Sequence, residues 1–393
     1  MDSTAEKTVV KIAHISDIHM SENIEETIGD RLRMVNMFGH NILALAALTD
    51  TLNDLDLDII VVSGDVSRNG NKNALAWAKT WLEEAIAYGD YNIGLHLNQK
   101  NKPYIIVPGN HDRFNGKKFQ QDRDLENYNQ VFGQMPKEKR LSVKGIEVLF
   151  SLFDSTTDDG SPALGYIQPQ QMVGRHRGKA NVNIAVVHHH IAQPPNHHRE
   201  PQTEIKNEVE ALLHFVDSDY DAIMFGHTHK CYAELLPVRL FQRNAKYKKR
   251  PYLRWLRRIL PFNFISKRRM GEPLDGVSYS REKTRDGKYP SFEYYLRYLY
   301  IKEVMDKTVS GPRDFENVKH FYRHIDSIEN DFDKRYRELL SRRCLLSMAP
   351  SAAQAEAELN GFVILEFNFV AKQLKDIIIR RFAHQGGNRY KEV

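Results

Sequence analysis

Aspartate, asparagine and histidine side chains directly follow short apolar runs at five places in this sequence. Three of these places read D-I-H at 17–19, G-D at 64–65 and G-N-H-D at 109–112. The other two read H-H-H at 188–190 and G-H-T-H at 226–229. Turn chemistry could explain any one of these endings, but five in succession indicate a shared site. Carboxylate and imidazole ligands without cysteine suit Mn, Fe or Zn.

The apolar runs have the length of strands, and helical patterns separate them. This alternation is typical of an α/β layered fold. In open α/β sheets, ligands bind outside the carboxyl ends of the strands, where the polar residues stand in this sequence. The predicted strands cover residues 9–16, 58–64, 103–108, 146–153, 181–187, 221–226 and 362–369, and the predicted helices cover 31–52, 75–88, 205–216 and 314–343.

The candidate ligands are too numerous for a single metal ion. Two ions about 3.5–4 Å apart that share a carboxylate would use the whole set, and this arrangement serves in-line displacement at phosphorus. We expect Gly64, Gly109 and Gly226 to let the backbone turn sharply beside the ions.

This ordered set resembles the calcineurin-like metallophosphoesterase superfamily, whose pattern is D-x-H, G-D, G-N-H-[DE], H and G-H-x-H. The resemblance covers roughly residues 9–232. It implies a sandwich of β-sheets flanked by helices, with βαβ units and a dimetal site at the strand C-termini. It also implies two divalent ions (Mn, Fe or Zn) as cofactors, and hydrolysis of a phosphoester substrate by in-line attack of a water or hydroxide held between them.

The resemblance assigns a role to each matching residue. One ion would be held by Asp17, His19 and His229, and the other by Asn110, His188 and His227, with Asp65 bridging the two. The catalytic residue would be His111, which would not be a ligand but would stabilise charge on the substrate phosphate or protonate the leaving oxygen. His189 stays open as an alternative to His188, because His190-Ile191 stand where the family often has proline.

The departures from the pattern favour one branch of the superfamily. Its protein Ser/Thr phosphatases carry G-D-x-V-D-R-G and G-N-H-E, whereas this chain has G-D-V-S-R-N-G at 64–70 and G-N-H-D at 109–112. The motifs are more similar to the class III cyclic-nucleotide phosphodiesterase and glycerophosphodiesterase branch, so we expect a phosphodiester substrate. The alternatives are a phosphomonoesterase, a nucleotide-pyrophosphate hydrolase acting on a lipid-linked substrate, or a non-catalytic scaffold with the same fold.

The net charge of +5 is unevenly distributed along the chain. Residues 238–270 contain twelve Lys or Arg and no Asp or Glu, so the remainder carries −7. Within this segment, residues 252–260 place aromatic and aliphatic side chains on one side of a helix and arginines on the other. This pattern predicts contact with an anionic membrane surface. Docking of the apolar side on the catalytic domain is an equal alternative, and nucleic-acid binding is disfavoured because the aromatic residues cluster on one face.

The strand–helix alternation stops near residue 232. We expect a catalytic domain over 9–232, a basic and mostly helical accessory insertion over 233–360, and a strand over 361–372 that could return to the core sheet. Two cysteines and an N-terminus without an apolar signal run indicate a cytoplasmic protein, with peripheral contact at the inner face of a membrane if the basic segment binds there. The sequence favours no oligomeric state.

Overall fold

The structure is a computed structural model, and the chain divides into two compact units. The first contains Met1–Ala192, Pro201–Glu234 and Cys344–Val393, and the second contains Gln193–Glu200 and Leu235–Arg343. The described residues are 6–23, 40–89, 91–116, 124–157, 164–173, 180–190, 205–207, 220–229, 232–236, 344–353, 360–385 and 389–393, with scattered positions between 211 and 218 and between 304 and 334.

A parallel core forms one half of the first sheet. Strand β1 (Lys7–Ile15) runs parallel to β2 (Ile59–Val62), which runs parallel to β5 (Tyr104–Ile106). The sequence of β2 is Ile-Ile-Val-Val, and all four residues are buried, as expected for a central parallel strand. The three carboxyl ends therefore lie at one edge of the sheet.

An antiparallel extension completes this sheet. Strand β12 (Gly361–Val370) pairs with β1 from Lys7 to His14, and β13 (Gln373–His384) and β14 (Tyr390–Glu392) follow it in the sheet. The strand order is β14-β13-β12-β1-β2-β5. The C-terminal residues of the chain thus belong to the same sheet as its first strand.

Two helices connect the parallel strands and bury their apolar faces in the core on one side of this sheet. Helix α1 (Ile42–Asp54) begins after Asn41, whose side chain accepts hydrogen bonds from the first-turn amides. Helix α2 (Lys72–Glu83) begins after Asn71 in the same way. Two short strands, β3 (Ile86–Tyr88) and β4 (Tyr91–Ile93), lie between α2 and β5 in the chain. A 3-10 helix (His111–Arg113) and helix α3 (Glu126–Phe132) follow β5.

The second sheet packs against the opposite side of the first. Its order is β10-β11-β9-β8-β7-β6, with parallel pairing from β7 through β8 and β9 to β11. A buried hydrogen bond between His14 on β1 and Ser347 on β11 crosses the interface between the sheets. The bounds are β6 (Glu138–Val143), β7 (Ile146–Leu152), α4 (Pro169–Met172), β8 (Val182–Val186), β9 (Ala222–Phe225), β10 (Tyr232–Leu236) and β11 (Cys344–Met348).

The predicted α/β sandwich is confirmed, with local differences. The helix predicted over 75–88 ends at Glu83, because its last residues form β3 and pair with β4. Strand β11 was not predicted and lies inside 233–360, the range of the expected insertion. The basic segment 238–270 lies outside the described residues, as does most of the helix predicted over 314–343. No helix in the described part of the chain is long and apolar enough to cross a membrane.

Candidate metal centre

Five strand ends converge and bring all of the predicted site residues together. The ends of β1, β2 and β5 lead into Asp17, Asp65 and Asn110, while β8 and β9 of the second sheet lead into His188 and His227. The described residues contain three overlapping groups of possible metal ligands, and within each group the ligand atoms lie within 4.8 Å of one another. They are Asp17, His19 and His229; His19, Asp65 and His111; and Asp65, His188 and His227.

The first group joins the loops after β1 and β9. Nε2 of His19 is 3.2 Å from Nε2 of His229, and the Oδ1 atom of Asp17 is 3.4 Å from the same His229 nitrogen. Asp17 and His19 are fully buried, and His229 is partly exposed. Two imidazole nitrogens and a carboxylate oxygen thus face one small volume.

The second group joins the loops after β2, β5, β8 and β9. Nε2 of His188 lies 3.0 Å from Oδ1 of Asn110, 3.2 Å from Nδ1 of His227 and 3.3 Å from Oδ2 of Asp65. Nδ1 of His188 donates to the carbonyl oxygen of Ser63 at 2.8 Å. Because that bond uses Nδ1, the Nε2 atom is left to face the other ligands.

His188 and His189 have different surroundings. The ring of His189 is fully buried and bonds through Nδ1 to Ser155 Oγ at 2.8 Å, while His188 faces Asn110 and Asp65. The His189 ring packs 4.4 Å from that of His227, measured between centroids. The geometry therefore favours His188 as the ligand and places His189 behind His227.

His111 stands beside the first group. Its ring makes an edge contact with His19 at 4.8 Å between centroids, and its backbone amide donates to Oδ1 of Asp65 at 2.8 Å. Nδ1 of His111 donates to the carbonyl oxygen of Arg68 at 2.7 Å. A proton on Nδ1 is thereby used in the fold, and this bond fixes the orientation of the ring.

Several of these residues have a left-handed backbone, which L-amino acids with side chains rarely adopt. The φ angles are 54° at Asp17, 52° at His19, 49° at Asp65, 75° at His227 and 54° at His229. Such strain concentrates at functional sites, where the surrounding structure must hold it in place. Sequence patterns give no sign of it, since none of these residues is glycine.

The three glycines have two different roles. Gly64 has a φ angle of 102°, as the expected sharp turn requires. Gly109 and Gly226 do not have positive φ angles, and they are needed because of close approach instead. A Cβ atom on Gly109 would overlap the carboxylate of Asp65, and one on Gly226 would overlap Ser16 Oγ.

Asp112 ties two of the ligand loops together, a role the sequence analysis missed. Its Oδ2 atom accepts from the amides of Gly109 at 2.9 Å and Val66 at 3.3 Å, and its Oδ1 atom accepts from the amide and hydroxyl of Ser67 at 2.9 and 2.7 Å. Burial and the nearby charge of Asp65 raise the pKa of Asp112 to about 7, against the effect of these donors. The only available signal was its place in G-N-H-D.

The charged groups of the site shift one another's pKa values. Burial lowers the pKa of His188, but the carboxylates of Asp65 and Asp17 outweigh burial and raise it to about 9. Burial also raises the pKa of Asp65, but the charge of His188 holds it well below its usual value. Burial and the charge of His188 lower the pKa of His227 to about 3. Without a cation, the protein thus favours an ionised Asp65 and a neutral His227 beside a protonated His188, and His188 would have to release its Nε2 proton to bind a metal ion.

The residues fit a pair of divalent ions. Imidazole nitrogens approach one another at 3.2 Å in both groups, although each neutral ring needs one nitrogen without a proton. The buried Oδ1 atom of Asp17 accepts no hydrogen bond from any described residue. A cation in each group would satisfy these lone pairs, and a nitrogen and oxygen ligand set suits Mn, Fe or Zn.

Comparison with known families agrees with this geometry. The model of the calcineurin-like phosphoesterase family matches residues 10–231, more than half of the chain, and the match includes every candidate ligand and His111. This chain belongs to the calcineurin-like phosphoesterase family. Membership supports metal-dependent hydrolysis of phosphoesters as its general activity.

Structural neighbours of this calcineurin-like phosphoesterase are remote. The anchor GAP50 of the inner membrane complex of Plasmodium is 16% identical, with a TM-score of 0.34 over 57% of this chain and 68% of that one. A Vps29 single mutant from Entamoeba histolytica is 8% identical, with a TM-score of 0.30 over 98% of each chain. A Thermus thermophilus protein is 14% identical, with a TM-score of 0.30 over 95% of this chain and 100% of that one. A comparison with curated proteins finds no match.

Proposed function

We propose that this calcineurin-like phosphoesterase hydrolyses a phosphodiester at a two-metal site. The observation that carries the proposal is the convergence of seven nitrogen and oxygen ligands from five strand ends, with His111 beside them. A non-catalytic scaffold needs neither this complete set nor the histidine next to it.

The ligands divide into two sets that share one carboxylate. Asp17, His19 and His229 would hold one ion, and Asn110, His188 and His227 would hold the other. Asp65 is suited to bridging, because its ligand oxygens lie within 4.8 Å of ligand atoms on His19 and on His188. When bound, the two ions supply positive charge for the phosphate oxygens and lower the pKa of the attacking water.

His111 is the residue best placed to act on the leaving group. Because Nδ1–H donates to the carbonyl oxygen of Arg68, His111 would act as an imidazolium, which passes its Nε2 proton to the departing alkoxide and becomes neutral. The amide bond to Asp65 fixes the backbone of His111 relative to the ligand loops. His111 is only 9% exposed, so little of it is open to solvent.

The diester preference is based on sequence motifs. Ser67 and Arg68 stand in a segment where the superfamily's protein phosphatases carry a second aspartate, and the fourth motif residue is Asp112 in place of their glutamate. Both features resemble the class III cyclic-nucleotide and glycerophosphodiesterase branch. The rival is hydrolysis of a phosphomonoester or of a lipid-linked nucleotide pyrophosphate.

A substrate screen with metal-reconstituted protein separates these activities. We expect faster hydrolysis of bis(p-nitrophenyl) phosphate than of p-nitrophenyl phosphate, and turnover of cyclic nucleotides or glycerophosphodiesters with Mn²⁺, Fe²⁺ or Zn²⁺. Faster hydrolysis of the monoester would reject the diester preference but keep phosphoesterase activity. Absence of activity on all phosphoesters, with two ions bound, would favour the scaffold.

A membrane role for residues 238–270 is a separate proposal from the sequence. Each Lys or Arg near an anionic surface contributes about 1 kcal/mol. We expect co-sedimentation with anionic vesicles that weakens with salt and is lost when Trp255 and Leu256 are both replaced by Glu. Wild-type protein that stays in solution at low salt would instead indicate docking within the chain.

A further inference from the structure

A C-terminal segment outside the family match contacts the first ligand loop directly. This segment, Ala349–Ala353, follows β11, and all five of its residues are buried. The family match ends at residue 231, so the segment is not part of the shared motif pattern. It returns to the site after the long stretch that separates β10 from β11.

Its closest contact is with the backbone of Asp17. The hydroxyl of Ser351 donates to the carbonyl oxygen of Asp17 at 2.6 Å, across 334 positions of sequence. Next to it, the amide of Ala352 donates to the carbonyl oxygen of Ser16 at 2.9 Å. Ser16 and Ser351 also form an isolated parallel bridge. Both bonds reach the backbone that carries a proposed ligand of the first ion.

Asp17 needs such support because its backbone is strained. Its φ angle is 54°, and an unsupported aspartate would relax toward a negative φ angle and move its carboxylate. From the other side, the amide of Asp17 donates to the carbonyl oxygen of Gly64, and Oδ2 accepts from the amide of His227 at 3.0 Å. These bonds leave Oδ1 free to face His229. The Ser351 hydroxyl completes the set on the remaining carbonyl.

We propose that Ser351 is a positioning residue for the first metal ion, and that it acts by holding Asp17 in its left-handed conformation. The inference rests on the proposed two-metal site. It predicts a selective effect, since the Ser351 hydroxyl donates to the backbone of a first-ion ligand and forms no hydrogen bond with a second-ion ligand in the described part of the chain. Partners of metal ligands typically contribute 10–100-fold to metal affinity.

The test is a titration of purified, metal-free protein with Mn²⁺, in which calorimetry measures each binding step. The variants His229→Ala and Asn110→Ala identify which binding step belongs to the first ion and which to the second. We expect Ser351→Ala to weaken the first-ion step by about 10-fold and to leave the second-ion step unchanged. Ser351→Thr, which keeps the hydroxyl, should restore the first step.

Ser347→Ala is the matched control. It removes an equally buried hydroxyl from the preceding strand, but that hydroxyl bonds to His14 and not to a ligand loop. We expect the control to keep the wild-type first-ion step. The role of Ser351 would be overturned if both binding steps were unchanged in Ser351→Ala. It would also be overturned if both steps were weakened, and weakened equally in Ser351→Ala and in the control. Wild-type protein that binds no ion would overturn the proposed function itself.

Discussion

The two ligand groups are held in position by different means. All three ligands proposed for the first ion, Asp17, His19 and His229, have left-handed backbones. Among the second-ion ligands other than the shared Asp65, only His227 does, while Asn110 has an ordinary helical conformation and His188 is held through its ring bond to Ser63. We infer that the first group depends on hydrogen bonds to strained loops and the second on side-chain anchoring. Substitutions should therefore affect the two ions separately, except at Asp65.

The largest effect is expected at the residue common to both groups. Asp65→Ala should reduce binding of both ions and lower kcat by at least about 10³-fold, because metal charge supplies several kcal/mol of transition-state stabilisation. Elemental analysis of the purified variant and steady-state kinetics measure the two losses.

Asp58 provides a control at the opposite end of the same strand. It accepts a hydrogen bond from the amide of Lys11 and pairs with Lys144 at 2.8 Å, away from the ligands. Asp58→Asn should retain two ions and wild-type activity. An Asp65→Ala variant with undiminished metal content would show that the groups share no bridging carboxylate.

A large effect on turnover with retained metal is expected at His111. His111→Ala should lower kcat by about 10²–10⁴-fold, the usual contribution of a general acid. The loss should be smaller for p-nitrophenyl esters, whose leaving group needs no proton. If good and poor leaving groups lose equally, His111 stabilises charge on the phosphate and donates no proton.

An intermediate effect separates His188 from His189 and sharpens the account of the second group. His188→Ala should lower the affinity for one ion by more than about 100-fold, since even residues that only hydrogen-bond to a ligand contribute about 10–100-fold to metal affinity. His189→Ala should keep two tightly bound ions, because its ring faces Ser155 and His227. The reverse result in metal titrations would make His189 the ligand.

The smallest effect concerns the buried residue His14 and the pH dependence of the stability of the metal-free protein. His14 bonds to Ser347 and Ser63, and burial lowers its pKa to about 3, although the charge of Asp17 opposes the shift. The unfolded chain binds this proton near pH 6.5, so stability is fully present above that pH and is lost as the pH falls toward 3. The contribution is at most about 1.4 kcal/mol per pH unit.

Denaturant unfolding between pH 4 and pH 7 measures this contribution. His14→Gln should show a shallower loss of unfolding free energy on acidification than the wild-type protein does. Equal slopes in the two proteins would mean that His14 is not held neutral in the fold.

The sequence by itself determined the family, the sheet-and-helix order and the candidate ligands. It could do so because β1, β2, β5, β8 and β9 are short apolar runs whose carboxyl ends carry the chemistry. Parallel pairing brings the ends of β1, β2 and β5 together in one sheet and those of β8 and β9 together in the other. The packing of the two sheets then brings both sets to one site. The existence of the motifs was visible without any knowledge of side-chain positions.

Only the tertiary structure decided how the site is supported. The left-handed backbone of Asp17, the bonds of Asp112 to the loop after β2 and the return of Ser351 to the first ligand loop leave no periodic or compositional trace. Strands β11 and β13 were also missed, the first because it follows a basic and helical pattern. The physical reason is that hydrogen bonds between residues 45 or 334 positions apart depend on how strands pair and sheets pack, which sequence spacing does not encode.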